Sequence, residues 1–145
     1  MNSLDLILDN ERKLVKITAV GEFFQSDGEK LITLARTEAA EHGYNVLYDI
    51  RQATASVPFA SWFELPGKLE VFKDPKKRQV RAAILASQND KAVHEYEFYE
   101  LVTDNLGINI RIFFKESEAL EWLGKKASIT NKIEVNAEIL SSGSK

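Results

Sequence analysis

The seven residues Asn45-Val-Leu-Tyr-Asp-Ile-Arg51 (NVLYDIR) decide how the rest of the chain is read. A short apolar run bounded by polar residues is the pattern of a strand buried on both faces. Its end is unusual, because Asp49 and Arg51 stand where such a strand leaves the core. Two residues apart on a strand, they share one face. They can pair with each other and cap backbone amides there, or they can contact a ligand, and spacing alone leaves both open.

The flanking segments fall into place around this strand. Before it, Ser26 to Gly43 (SDGEKLITLARTEAAEHG) puts Leu31, Ala35 and Ala39 on one side of a helix, with Ile32 and Leu34 flanking. Ser26 and Glu29 have the S-x-x-E spacing of a capping box, and Gly43 is placed to end the helix. His42 near that end suits the negative pole of the helix dipole. Further upstream, Leu4 to Leu8 and Leu14 to Val20 alternate apolar and polar, with the polar run DNERK between them, which predicts an antiparallel hairpin.

After NVLYDIR, the residues Phe59, Trp62, Phe63, Pro66, Leu69 and Phe72 fall close to one helical face. Pro66 breaks the regular pattern, so a short turn and then a helix to about Asp74 is expected. The basic stretch KDPKKRQVR reads as a solvated loop. Then come a buried strand (QVRAAILAS) and a helix capped by Asn89 or Asp90 and ended by Gly107. On that helix Phe98, Leu101 and Val102 read as the core face, and Tyr96 and Tyr99, three apart, read either as exposed interface residues or as partly buried against a neighbouring loop. A strand (INIRIFF) and a helix (KESEALEWLGKK) follow, the latter with Ala119, Leu120, Trp122 and Leu123 facing in.

The order β-β-α-β-α-β-α-β-α predicts a single α/β domain with a mixed five-stranded sheet, an N-terminal antiparallel hairpin followed by parallel β-α repeats. The domain is expected to span residues 1–126. Residues 127–145 read as a C-terminal extension, partly disordered.

Composition narrows the function classes. The chain has 145 residues, 44% of them hydrophobic and 28% charged, as expected of a globular protein. Its net charge of −3 argues against a nucleic-acid binder. With no cysteine there is no disulfide, thiolate metal site or Cys nucleophile. The N-terminus lacks a signal-peptide h-region and no run is long enough to span a membrane, so a cytoplasmic chain without stable membrane insertion is expected. No P-loop, G-x-S-x-G, H-E-x-x-H or G-x-G-x-x-G occurs, so the chain reads as non-catalytic, without cofactor. His94 has no i+4 ligand partner, and no metal site is expected.

The succession VKITAVGEF, NVLYDIR, RAAILAS, FYELVTDNLGINIRIF and SEALEWL, from Leu4 to Leu123, resembles the STAS/SpoIIAA-like domains, and within them the STAS-like proteins grouped with the CRAL-TRIO lipid-binding fold. That resemblance implies a regulatory or protein-interaction domain of the bacterial cytoplasm, docking a protein partner or a second copy. Through the lipid-binding relatives it also implies an alternative, a binding protein for a small apolar or lipid-like ligand. In the anti-sigma-factor antagonists of this superfamily a phosphorylatable serine sits in an Asp-Ser-Ser-Gly motif after the third strand. Here that position reads DIRQATASVPFAS, with Asp49 but without the motif. Thr54 and Ser56 are the candidate phosphorylation positions, with Ser61 the next hydroxyl.

In open α/β sheets ligands gather beyond the carboxyl ends of the parallel strands. The candidate ligand or partner contacts at that rim are Phe23, Phe24, Asp49, Arg51, Ser87 and Asn89. Trp62 and Phe63 join them as part of the wall of an apolar pocket.

Overall fold

The computed structural model describes residues 3–56, 64, 66–88 and 93–124. Strands β1 (Ser3–Asp9) and β2 (Leu14–Phe24) form the expected antiparallel hairpin, from Ser3 opposite Val20 to Asp9 opposite Leu14. Helix α1 (Gln25–His42) leads to β3 (Asn45–Ser56). A short helix α2 (Pro75–Arg78) precedes β4 (Ala82–Leu85), and α3 (Val93–Asn105) leads to β5 (Ile110–Phe113). Helix α4 (Glu116–Leu123) is the last element described. Strands β2 to β5 are parallel, each hydrogen-bonded to the next, so the sheet order is the chain order β1-β2-β3-β4-β5. This is the mixed five-stranded α/β architecture predicted above.

Chain order in the sheet has a consequence for packing. Right-handed crossovers that always step in the same direction put their connecting segments on one face. Residues of α1, of the segment before β4 and of α3 pack there on Val15, Ile17, Val46, Tyr48, Ala82 and Ile110. Helix α4 covers the other face, where Ala119 and Leu123 meet Leu14, Leu47, Ala83 and Leu85. The period-two alternation of a strand then splits NVLYDIR between two environments. Val46, Tyr48 and Ile50 face α1 and α3, while Leu47, Asp49 and Arg51 lie on the α4 side. Fully buried side chains such as Ile17, Leu47 and Leu85 each stabilise the fold by about 1.5–3 kcal/mol.

Several local expectations change. Helix α1 starts one residue earlier than the proposed Ser26 cap. The Asp27 carboxylate accepts the Phe24 N–H at 2.8 Å, so Asp27 closes the first turn. Glu29 instead pairs with Lys68 at 2.9 Å and accepts from Gln25 at 3.1 Å. Gly43 ends the helix in the left-handed region at φ 73°, as expected, and His42 Nδ1–H donates to the Glu38 carbonyl at 3.0 Å.

The helix proposed to run to Asp74 is broken twice. Residues 66–68 make a helical turn, Leu69 is extended, and Glu70–Phe72 form a 3-10 turn. Asp74 is extended again because the ring of Pro75 disfavours helical backbone in the residue before it. Its side chain accepts the Lys76 N–H at 3.0 Å and so caps α2. The basic stretch is thus partly helical. Arg78 donates to the carbonyls of Phe72 and Leu106, and Arg81 lies over the Trp122 ring.

Helix α3 is rotated from its expected setting. Tyr96, Tyr99 and Thr103 are buried, whereas Phe98 and Leu101 are exposed and Val102 is half-buried. Thr103 satisfies its hydroxyl by donating back to the carbonyls of Tyr99 (2.9 Å) and Glu100 (3.0 Å). The Glu100 carboxylate accepts the Ile112 N–H at 3.0 Å, which fixes the helix against the outer strand in this rotation. Phe59, Ser61, Trp62, Phe63, Asn89, Asp90 and the extension 127–145 lie outside the described residues.

Candidate functional site

On the α4 face the charged end of NVLYDIR is self-contained. Arg51 grips the Asp49 carboxylate with both edges of its guanidinium, Nε to Oδ1 at 3.0 Å and Nη2 to Oδ2 at 2.8 Å. The Arg51 backbone N–H donates to the same Oδ1 at 3.2 Å. Asp49 is only 8% exposed, and hydrogen bonding from the Arg51 side chain holds its carboxyl below the usual carboxylate range. The pair extends to Glu116 at the start of α4, 3.4 Å from Arg51, and through it to Lys16 on β2, 3.6 Å away. Two carboxylates and two cations balance along the edge where α4 docks.

The opposite face of the same strand is built differently. Beneath α1 and α3 lies a half-enclosed cavity of about 110 Å³, lined almost wholly by apolar atoms. Phe23, Phe24 and Gly28 border it where β2 passes into α1, and Thr54 borders it from the far part of β3. Phe24 and Thr54 are exposed and mark the mouth. The buried side chains of Arg36, Tyr48, Phe72, Tyr96 and Tyr99 form the floor. Two of the expected rim residues, Phe23 and Phe24, and the candidate phosphorylation position Thr54 therefore share this cavity, whereas Asp49 and Arg51 lie on the other side of the sheet. Ser87 follows β4 and is half-buried outside the lining. Ser56 pairs with Phe24 at the end of β3 through its backbone.

Arg36 is the unexpected member of the floor. It is 1% exposed and, among the described residues, the sole charged side chain lining the cavity. Its Nη1 donates to the carbonyls of Lys77 (2.9 Å), Arg78 (3.4 Å) and Val80 (3.0 Å), where α2 ends. The guanidinium lies over the Phe72 ring, 4.9 Å from its centre. No carboxylate among the described residues pairs with it, and its Nη2 has no hydrogen-bond partner among them. The Tyr48 hydroxyl is likewise buried without one. Burial lowers the Arg36 pKa from its ordinary value and pushes the Tyr48 hydroxyl up to about 12. Tyr99 is also raised by burial. The sequence did carry a trace of Arg36, which falls on the same stripe as Ile32 and Ala39 at helical spacing.

No family model matches the chain, and no curated protein matches it. Among solved structures it is similar to an uncharacterized protein of the DUF3478 family with a SpoIIAA-like fold from Shewanella loihica PV-4. That similarity is 22% identity over 84% of this chain and 93% of that chain, with a TM-score of 0.46. It is also similar to the anti-sigma factor antagonist SpoIIAA in its unphosphorylated form, at 14% identity over 83% of this chain and 96% of that chain, with a TM-score of 0.47.

Proposed function

We propose that this protein is a non-catalytic binding domain that holds a small, largely apolar molecule in the cavity beneath α1 and α3. The cavity itself carries the reading. Cores of this kind close to crystal-like density, yet about 110 Å³ stays unfilled against Tyr48, Phe72 and Tyr99. An apolar cavity of about 150 Å³ is enough to take up benzene. The mouth lies at the carboxyl ends of β2 and β3, the rim where α/β sheets receive ligands. The non-catalytic reading is supported by Asp49, the carboxylate of β3, being engaged by Arg51 on the other face of the sheet from the cavity. Titrating the full chain with benzene while following its amide NMR signals tests the proposal. Saturable shifts at Ala19, Ile50 and Ile84 are expected, and their absence overturns it.

A second reading, a regulatory domain that docks a protein partner or a second copy, is favoured by the outer side of α3. Phe98 (44%), Leu101 (55%) and Leu106 (47%) are exposed there, at the helix or just beyond its end. Exposed apolar side chains in one region are the raw material of an interface core. Concentration-dependent mass in solution, abolished by Leu101→Ser, is the expected outcome for a second copy. Among the described residues no helix is long and apolar enough to cross a membrane.

A further inference from the structure

We infer that the cavity's ligand is a monocarboxylate with an apolar body, such as a short alkanoate or an aryl carboxylate, its head group received by Arg36 and Tyr48. The inference rests on the binding function proposed above and names the class of ligand.

Three observations lead to it. A buried charge without a counter-charge is costly, and proteins normally pair it. Arg36 is fully buried, and its hydrogen bonds among the described residues use only Nη1, all to neutral carbonyls. Those carbonyls offset part of the desolvation but bring no negative charge. The second amino group, Nη2, and the Tyr48 hydroxyl are donors that the fold buries and leaves without acceptors among the described residues. Both side chains line one cavity whose remaining wall is apolar. Both donors are hidden from bulk water and add almost no surface to the cavity wall, so an acceptor in the cavity reaches them only as the Arg36 and Tyr48 side chains turn toward it.

The chemistry of the donors selects the head group. One cation and one neutral hydroxyl match a single negative charge carried by a small planar group. A phosphate monoester brings about two charges and three acceptor oxygens, more than this floor can satisfy. The size of the cavity, about 110 Å³, limits the enclosed part of the body to a few carbon atoms. A longer chain would leave past Phe24, which is exposed at the mouth.

The test compares hexanoate with hexanol on the full chain at pH 7, by titration of its amide NMR signals. A charge-assisted hydrogen bond in a desolvated site corresponds to roughly tenfold to a hundredfold in affinity. Hexanoate is expected to bind at least about tenfold more tightly than hexanol, with Arg36→Met removing that preference and Tyr48→Phe reducing it. Equal binding of the two by the native protein overturns the carboxylate assignment and leaves the apolar binding function standing. Binding of neither, with benzene also inert, overturns both. Should Arg36→Met not fold, the native comparison and Tyr48→Phe, which keeps the ring, still decide. A preference for hexanoate that Tyr48→Phe leaves unchanged overturns the assignment of Tyr48. If Arg36→Met folds and keeps that preference, the assignment of Arg36 falls as well.

Discussion

Two arginines, Arg36 and Arg51, stand on opposite sides of the same sheet and are handled in opposite ways. Arg51 lies on the central strand β3 just past the end of β4, its side chain partly in solvent, held by Asp49 and within reach of Glu116. Arg36 is enclosed, rests on Phe72, and among the described residues bonds only to backbone carbonyls. The first arrangement is complete in itself and fastens α4 to the central strand β3. The second leaves a donor without an acceptor among the described residues and a positive charge buried beside an apolar space. What separates them is the alternation of strand β3, which sends Asp49 and Arg51 one way and Tyr48 the other. A charge that the fold has fully paired is a poor place to look for a ligand. A charge that it buries and leaves partly unpaired is a better one.

Packing around Arg36 gives the strongest way to break this contrast. Phe72 lies under the guanidinium and is fully buried, so Phe72→Ala deletes a ring from a cavity that already exists. A loss of about 3–5 kcal/mol is expected by chemical denaturation. A loss under about 1 kcal/mol would mean that the ring does not form the floor. Tyr99→Ala should fall in a similar range, because Tyr99 is buried, whereas Phe98→Ala beside it should stay within about 0.5 kcal/mol. The reverse ranking would restore the orientation of α3 that hydropathy alone predicts.

That orientation marks where the sequence stops being legible. The hairpin, the buried β3 and the β-α succession are periodic patterns, and periodicity is a local property of the backbone. The face of α3 is not, because two stripes compete. Phe98, Leu101 and Val102 are the more apolar set, and Tyr96, Tyr99 and Thr103 the more polar. Hydropathy favours the first, and the structure buries the second. What decides is the anchor from Glu100 to Ile112 and the back-bonding of Thr103, neither visible in residue spacing. Of the candidate site, the position of Phe23 and Phe24 beside the cavity was legible because strand direction fixes the rim. Arg36 was not, since one arginine on an amphipathic helix ordinarily reaches solvent. Its burial depends on the carbonyls at the end of α2, 41 to 44 residues away in sequence.

The paired side of the comparison is sharpened by pH. Asp49 titrates below its ordinary range in the folded state, chiefly because the Arg51 side chain donates to it. A depressed folded pKa means that the stabilisation is present above the unfolded value, about 3.9, and is lost as pH falls through the folded one. Asp49→Asn should therefore lower stability by about 1 kcal/mol at neutral pH, allowing for the partial exposure of Arg51. It should also flatten the fall of Tm below about pH 4, where the native carboxylate takes up its proton. Thermal unfolding from pH 7 to pH 2 measures both. An unchanged acid limb would show that Asp49 and Arg51 do not remain paired in solution.

The smallest effect tests how far that pairing spreads. Glu116 is over a third exposed and is shared between Arg51 at 3.4 Å and Lys16 at 3.6 Å. Each of those ion pairs is screened, and exposed pairs contribute from nothing to about 1 kcal/mol. Glu116→Gln keeps the size of the side chain and removes its charge, so a loss of about 0.5 kcal/mol or less is expected at low salt. In about 1 M salt, where the Debye length falls to about 3 Å, mutant and native protein should unfold alike. The Asp49–Arg51 contact is shorter and its carboxylate is sheltered, so the effect of Asp49→Asn should survive the same salt. If both substitutions lost their effect together, the network would be one solvated cluster. If only Glu116→Gln did, Asp49 and Arg51 form the lasting fastening and Glu116 its outer, screened extension.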